Sequence, residues 1–176
     1  MSSKLENTIR CGMSSVVEEN ALFKGKPNIL RRRCLRIRHA SSSCTACIDA
    51  CSYNALYLQD NQPILRSSAC VGCGACESAC PTEAVYLDSP SQEEIFEQFK
   101  KSLNPNKISF VCKQVAAEPS SVQVGCYVRI RPDLILLAAA LGTKQIELIS
   151  GNCETCALNN RCRPAELLEA ETQHFS

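Results

Sequence analysis

A formal net charge of +1 over 176 residues gives no bulk electrostatic reason to expect nucleic acid or an acidic membrane surface as partner. The 14 cysteines are the outlier, at a density that would mean disulfides in a short secreted chain. Yet Met1-Ser2-Ser3-Lys4-Leu5-Glu6 lacks the apolar stretch and cleavage site of a secretory leader, so a cytoplasmic setting with metal-binding thiols is expected.

Residues 1–33 read as an N-terminal extension. Its Cys11 has no partner motif and reads as a free thiol. At the end of the extension, Arg31, Arg32 and Arg33, with Arg36 and Arg38 beyond them, crowd around Cys34.

Residues 34–90 carry the strongest signal. Cys70, Cys73, Cys76 and Cys80 stand in the spacing C-x2-C-x2-C-x3-C, followed by Pro81. Three thiolates on one tight loop can reach three corners of an iron–sulfur cube, with Gly72 and Gly74 letting the backbone wrap closely. The fourth cysteine points away and serves a second cluster. Upstream, Cys44, Cys47 and Cys51 repeat the run imperfectly. Aligning Cys51 with Cys80 also aligns Ala55 with Ala84, Tyr57 with Tyr86 and Leu58 with Leu87, which marks an internal duplication.

On these residues the chain resembles the bacterial two-cluster ferredoxins, over roughly residues 34 to 88. The resemblance implies two pseudo-symmetric halves, each with a short strand pair and a helical turn, wrapped around two [4Fe–4S] clusters. It assigns Cys70, Cys73, Cys76 and Cys51 to one cluster, and Cys44, Cys47 and Cys80 to the other. The family's first cysteine falls here on Ser41, which leaves one corner to fill. Cys34 can swing in, Ser41 can ligate through its harder hydroxyl, or the cluster can be [3Fe–4S]. Cys34 is preferred because it is an otherwise unexplained cysteine within reach. Its bland reading is a small buried hydrophobe.

An iron–sulfur core with its thiolates carries net negative charge. The arginines beside Cys34 would offset that charge and raise the reduction potential. They could equally dock an acidic partner, or simply form a solvated basic strand. No aromatic residues interleave them, so single-stranded nucleic acid is the weakest option.

Residues 91–106 read as a linker helix. Ser91-Gln92-Glu93-Glu94 has capping-box form, Ile95, Phe96, Phe99 and Leu103 follow at helical spacing, and Asn104-Pro105 ends it. Its apolar face is expected to link two domains or to cover the ferredoxin core.

Residues 107–176 read as a small α/β domain. Strands are expected from Lys107 to Val111, Ser121 to Gly125 and Gln145 to Ile149. A helix is expected from Pro132 to Leu141, with Pro132 in its first turn and Gly142 as its stop. Within it, Leu134 to Leu141 is the longest apolar run of the chain and far short of a membrane span. Strand, strand, helix, strand suggests parallel pairing around a crossover helix. Cysteines follow all of these strands: Cys112, Cys126, then Cys153, Cys156 and Cys162. That edge is where open α/β sheets bind ligands.

The layout is similar to the iron–sulfur delta subunit of the methyl-viologen-reducing hydrogenases. Phe110-Val111-Cys112, Val124-Gly125-Cys126, the alanine-rich helix with Gly142 and the strand leading to Cys153-Glu154-Thr155-Cys156 carry the resemblance. It implies a [2Fe–2S] centre. The family's paired cysteines after the first strand are reduced here to Cys112, and its glycine-rich segment is shortened to Ser150-Gly151-Asn152. A third centre on Cys112, Cys126, Cys153, Cys156 and Cys162, a structural zinc on the same thiolates, and a domain that merely packs remain open.

The chain has no G-x-G-x-x-G and no Walker loop, and no nucleophile paired with a base. Of its histidines, His39 could hydrogen-bond a cluster sulfur, and His174 is expected to face solvent. The expected fold class is α+β, a two-cluster ferredoxin-like unit with a cysteine-rich α/β domain. The expected role is electron transfer as a subunit or partner of a larger oxidoreductase, with no turnover of its own. A hydrogenase, formate dehydrogenase or heterodisulfide-reductase-like complex is the implied partner. The competing classes are a zinc-bound interaction module and a cluster-based redox sensor.

Overall fold

A computed structural model describes residues 6–11 in backbone, and residues 25–88, 90–153 and 156. Helices and strands are mixed, as an α+β reading requires. Among the described residues no helix is long and apolar enough to cross a membrane.

The cysteine-rich first unit is built from short pieces. Strand β2 (Asn28–Ile29) pairs antiparallel with β5 (Val85–Tyr86), closing the two ends of the unit on each other. Strands β3 (Leu56–Gln59) and β4 (Gln62–Leu65) form a hairpin. Its two-residue turn, Asp60-Asn61, has φ of 50° and 62°, the left-handed pair that matches strand twist. Helix α1 (Leu35–Arg38) follows Cys34, α2 (Ala46–Asp49) holds Cys47 and α3 (Ala75–Ser78) holds Cys76.

The duplication is visible in the backbone. Asn54 and Glu83, each three residues after an aligned cysteine, both take positive φ, 51° and 52°. One residue later, the amides of Ala55 and Ala84 donate to Cys51 Sγ and Cys80 Sγ, each at 3.2 Å. The same offset pairs Cys47 with Cys76 and Ile48 with Glu77 in the helices α2 and α3.

The second unit is a parallel sheet in the order β1-β8-β6-β7. Strand β6 (Lys107–Cys112) lies between β7 (Val122–Val124) and β8 (Gln145–Ser150), parallel to both. The crossover from β7 to β8 runs through α5 (Pro132–Ala140), with Pro132 in its first turn and Gly142 at φ 86° just past its end. Strand β1 (Glu6–Cys11) pairs in parallel with β8.

Helix α4 (Gln92–Ser102) begins in the expected capping box: Ser91 Oγ accepts from the Glu94 amide at 3.1 Å, and Glu94 Oε2 accepts from the Ser91 amide at 2.6 Å. Its apolar face does not cover the ferredoxin core. Ile95 and Phe99 are fully buried against Ile108, Phe110, Val122 and Val124 of the parallel sheet. The Phe99 and Phe110 rings lie 6.4 Å apart. The sheet offered α4 a broad apolar face, whereas the first unit's core is little more than Leu56, Cys76 and Val85.

Candidate metal centres

The cysteines of residues 34–80 gather in two groups of four. Cys34, Cys44, Cys47 and Cys80 line one small cavity. Cys51, Cys70, Cys73 and Cys76 line another. Each group draws cysteines from both halves of the duplication. The short helices α2 and α3 pack on one another, so each half hands one cysteine, Cys51 or Cys80, to the other side. Cys34 reaches its cavity from the turn at Leu30, closed by Cys34 N–H to Leu30 C=O at 3.2 Å, which brings the start of α1 to the same cavity that Ala46, Cys47 and Ile48 of α2 line. Ser41 is exposed and does not line this cavity.

Burial and mutual repulsion act on the central thiols. Burial pushes the Cys47 thiol up to about 11, and nearby Cys80, Cys34 and Cys44 push the same way. Burial likewise raises Cys76 to about 12, assisted by Cys51, Cys47 and Cys70. Four thiolates so placed need a cationic core to hold them together. A buried donor is also in place: Arg36 lines the first cavity, its Nη1 bonds the carbonyls of Ser42 (3.2 Å) and Cys44 (3.3 Å), and its buried Nε has no partner. With the two amide-to-sulfur bonds, this donor set fits a sulfur-rich anionic group. None of these cysteines is disulfide-bonded.

Among the described residues, no three cysteine, histidine, aspartate or glutamate side chains converge tightly enough to hold a single metal ion. A cube with irons at separate corners does not require its thiolates to meet at one point.

Residues 42–84 match the family model of the 4Fe-4S dicluster domain. The chain contains a ferredoxin-type iron–sulfur domain. The match spans Cys44 to Cys80, stops short of Cys34 and leaves the parallel sheet outside it. A 4Fe-4S dicluster domain supports cluster binding and an electron-transfer role. Comparison with curated proteins and with solved structures returned no match.

At the sheet, the strands bring a second set of cysteines to one edge. Cys112 ends β6 and Cys126 lies two residues beyond β7, with Cys112 Sγ 3.7 Å from the Gly125 carbonyl. Cys153 follows β8, and the Cys156 amide bonds the Cys153 carbonyl at 3.3 Å. Cys162 lies outside the described residues, as does His174. Tyr127 sits among these thiols: burial raises its hydroxyl far above the ordinary range, and Cys112, Cys153 and Cys126 add to that. The side chain of Ser150 lies close enough to favour the phenolate, but the Tyr127 hydroxyl has no partner at hydrogen-bond geometry.

Two features are absent from any reading of spacing alone. Strand β1 places the backbone of Cys11 opposite Ser150, at the same carboxyl edge as Cys112. And the two units are joined by a buried ion pair, Glu77–Arg129, with side chains 3% and 2% exposed. The duplication could have flagged Glu77, since its counterpart is the apolar Ile48. Nothing local flags Arg129.

Proposed function

We propose that this chain is an electron-transfer protein carrying two [4Fe–4S] clusters, one on Cys51, Cys70, Cys73 and Cys76 and the other on Cys34, Cys44, Cys47 and Cys80. The observation that carries this reading is the pair of cavities, each lined by four cysteines, within and beside the segment that matches the dicluster domain. Such clusters, when bound, take up and release single electrons. The chain's own groups hold and tune them. Amides of Ala55 and Ala84 stabilise negative charge on Cys51 and Cys80, and Arg36 Nε is free to do so in the first cavity. Donors of this kind favour the reduced form and raise the potential.

A third centre at the sheet edge belongs to the same reading, as a [2Fe–2S] cluster or zinc on Cys112, Cys126, Cys153, Cys156 and Cys162. The placement of Cys112, Cys126 and Cys153 after neighbouring parallel strands, with Tyr127 within electrostatic reach of all of them, supports it. The absence of a tight single-ion site among the described residues favours the cluster over zinc. The chain would then relay electrons between oxidoreductase partners, of the hydrogenase, formate dehydrogenase or heterodisulfide-reductase kind. Exposed Arg31, Arg32 and Arg38 flank Cys34 and suit an acidic redox partner at the centre that Cys34 shares.

Iron and sulfide quantification on anaerobically purified protein, with EPR after dithionite, tests the reading. Two reducible clusters are expected. A colourless, EPR-silent protein containing zinc would sink it. Cys34→Ala should lose or convert the cluster sharing Cys44, Cys47 and Cys80 and spare the other; unchanged iron and EPR would remove Cys34 from the ligands.

A further inference from the structure

The pseudo-symmetry of the two halves breaks directly after the central cysteine of each short helix, where Ile48 in α2 corresponds to Glu77 in α3. Ile48 is only half-buried, whereas Glu77 is buried, and a buried carboxylate is costly unless its oxygens are satisfied. Here they are. Oε1 accepts from the Leu87 amide at 2.7 Å, and Oε2 from Gln92 Nε2 at 2.9 Å. Oε2 also receives Arg129 Nη2 at 2.6 Å and Nε at 3.2 Å. Arg129 spends its remaining reach on the Pro90 carbonyl at 2.7 Å. One carboxylate thus ties together α3, the exit of β5, the start of α4 and the turn after β7.

The motif loop is shaped to admit this arginine. Gly74 has φ 83°, and a Cβ there would lie 2.6 Å from Cγ, Cδ and Nε of Arg129. Its counterpart in the first half is Thr45, the residue preceding α2. So glycine at position 74, glutamate at 77 and arginine at 129 form one fitted set. Arg129 belongs to the second unit and lies three residues after Cys126, while Glu77 adjoins Cys76.

We propose that Glu77 and Arg129 are positioning residues that set the reduction potential of the centre on Cys51, Cys70, Cys73 and Cys76, and couple it to the Cys126 turn. This rests on the electron-transfer reading above. One-electron reduction adds one negative charge to the centre, so a buried unit charge beside Cys76 changes the equilibrium with a sign that can be predicted. As a pair, the two charges compensate. Separating them uncovers one or the other.

The test is an EPR-monitored redox titration of the full, anaerobically purified chain, with the other cluster as internal reference. Glu77→Gln leaves the guanidinium uncompensated and should shift the reduction equilibrium of this centre about tenfold toward the reduced form, about 59 mV for one electron. Arg129→Gln should shift it by a similar factor the opposite way. The double variant should return close to the starting value, and Arg129→Lys, which keeps the charge, should hold the potential while lowering the thermal midpoint. Shifts of the same sign in both single variants, equal shifts in both clusters, or no shift would overturn the proposal and leave the pair a structural tie. If Arg129→Gln fails to fold by circular dichroism, Glu77→Gln and Arg129→Lys decide the matter by the same criteria. A parent chain without reducible clusters would defeat the electron-transfer reading itself; reducible clusters with unmoved potentials would defeat only this inference.

Discussion

The two units are stabilised by different means. The sheet unit buries Ile95, Phe99, Ile108, Phe110, Val122 and Val124 completely, and its strands and helices pack as a conventional hydrophobic core. The cysteine unit buries only Leu56, Val85 and Cys76 in its own cluster, with Ile29, Ile48, Leu65 and the cysteines Cys47, Cys51 and Cys80 packed against them. Its prospective ligands therefore make up a large part of its core. A segment with so little apolar burial does not offset its chain entropy unaided, and metal binding free energy becomes folding free energy. The sheet can be expected to hold its shape without metal; the cysteine unit cannot.

Removing iron should break this comparison most visibly. After anaerobic chelation, hydrogen exchange should show amide protection lost over residues 28–88 and retained over β6 and β8. Equal loss in both units would show that the sheet also depends on metal. The converse is Phe110→Ala, which removes a fully buried ring from the sheet. It should cost about 3–5 kcal/mol of that unit's stability, read from urea unfolding, with iron content unchanged.

The thiols respond to pH in a defined sense. Wherever the cysteine unit gathers its thiols before iron is bound, burial pushes Cys47 up to about 11 and Cys76 up to about 12, from an ordinary 9.0. A folded state that holds these protons more tightly is favoured below pH 9 and loses that advantage as pH climbs toward 11 and 12. Iron needs the thiolate, so uptake runs in the opposite direction: reconstitution of the chelated protein should be more complete at pH 9 than at pH 7 and should release protons. Uptake that falls between pH 7 and 9 would contradict the gathered-thiol arrangement. The smallest effect is expected at the boundary of the units. Ser91→Ala removes the side-chain half of the α4 capping box and should lower the stability of the sheet unit by about 1 kcal/mol, measured by thermal unfolding.

Much of this was legible locally. Strands β6, β7 and β8, helix α5 with Pro132 and Gly142, and the capping box at Ser91 all follow from short-range patterns, and all formed at or within a residue or two of the expected limits. The partner face of α4 was not legible, because a helix's apolar stripe says that something covers it and not what. Strand β1 was missed for a related reason: a short edge strand is defined by its neighbour β8, far along the chain.

The sequence by itself determined the kind of chemistry. A run such as Cys70 to Pro81 specifies its own loop, since ligand spacing, glycine placement and the first helical turn are all local, and the repeat doubles the statement. The resemblance already implied the crossed grouping of the other cysteines; only the tertiary structure decided that Cys34 and not Ser41 lines the first cavity, and that Arg129 reaches Glu77 across 52 positions of chain. Those are long-range choices. They are made by packing α2 on α3 and by the cost of leaving a buried charge unpaired, and no local spacing encodes either.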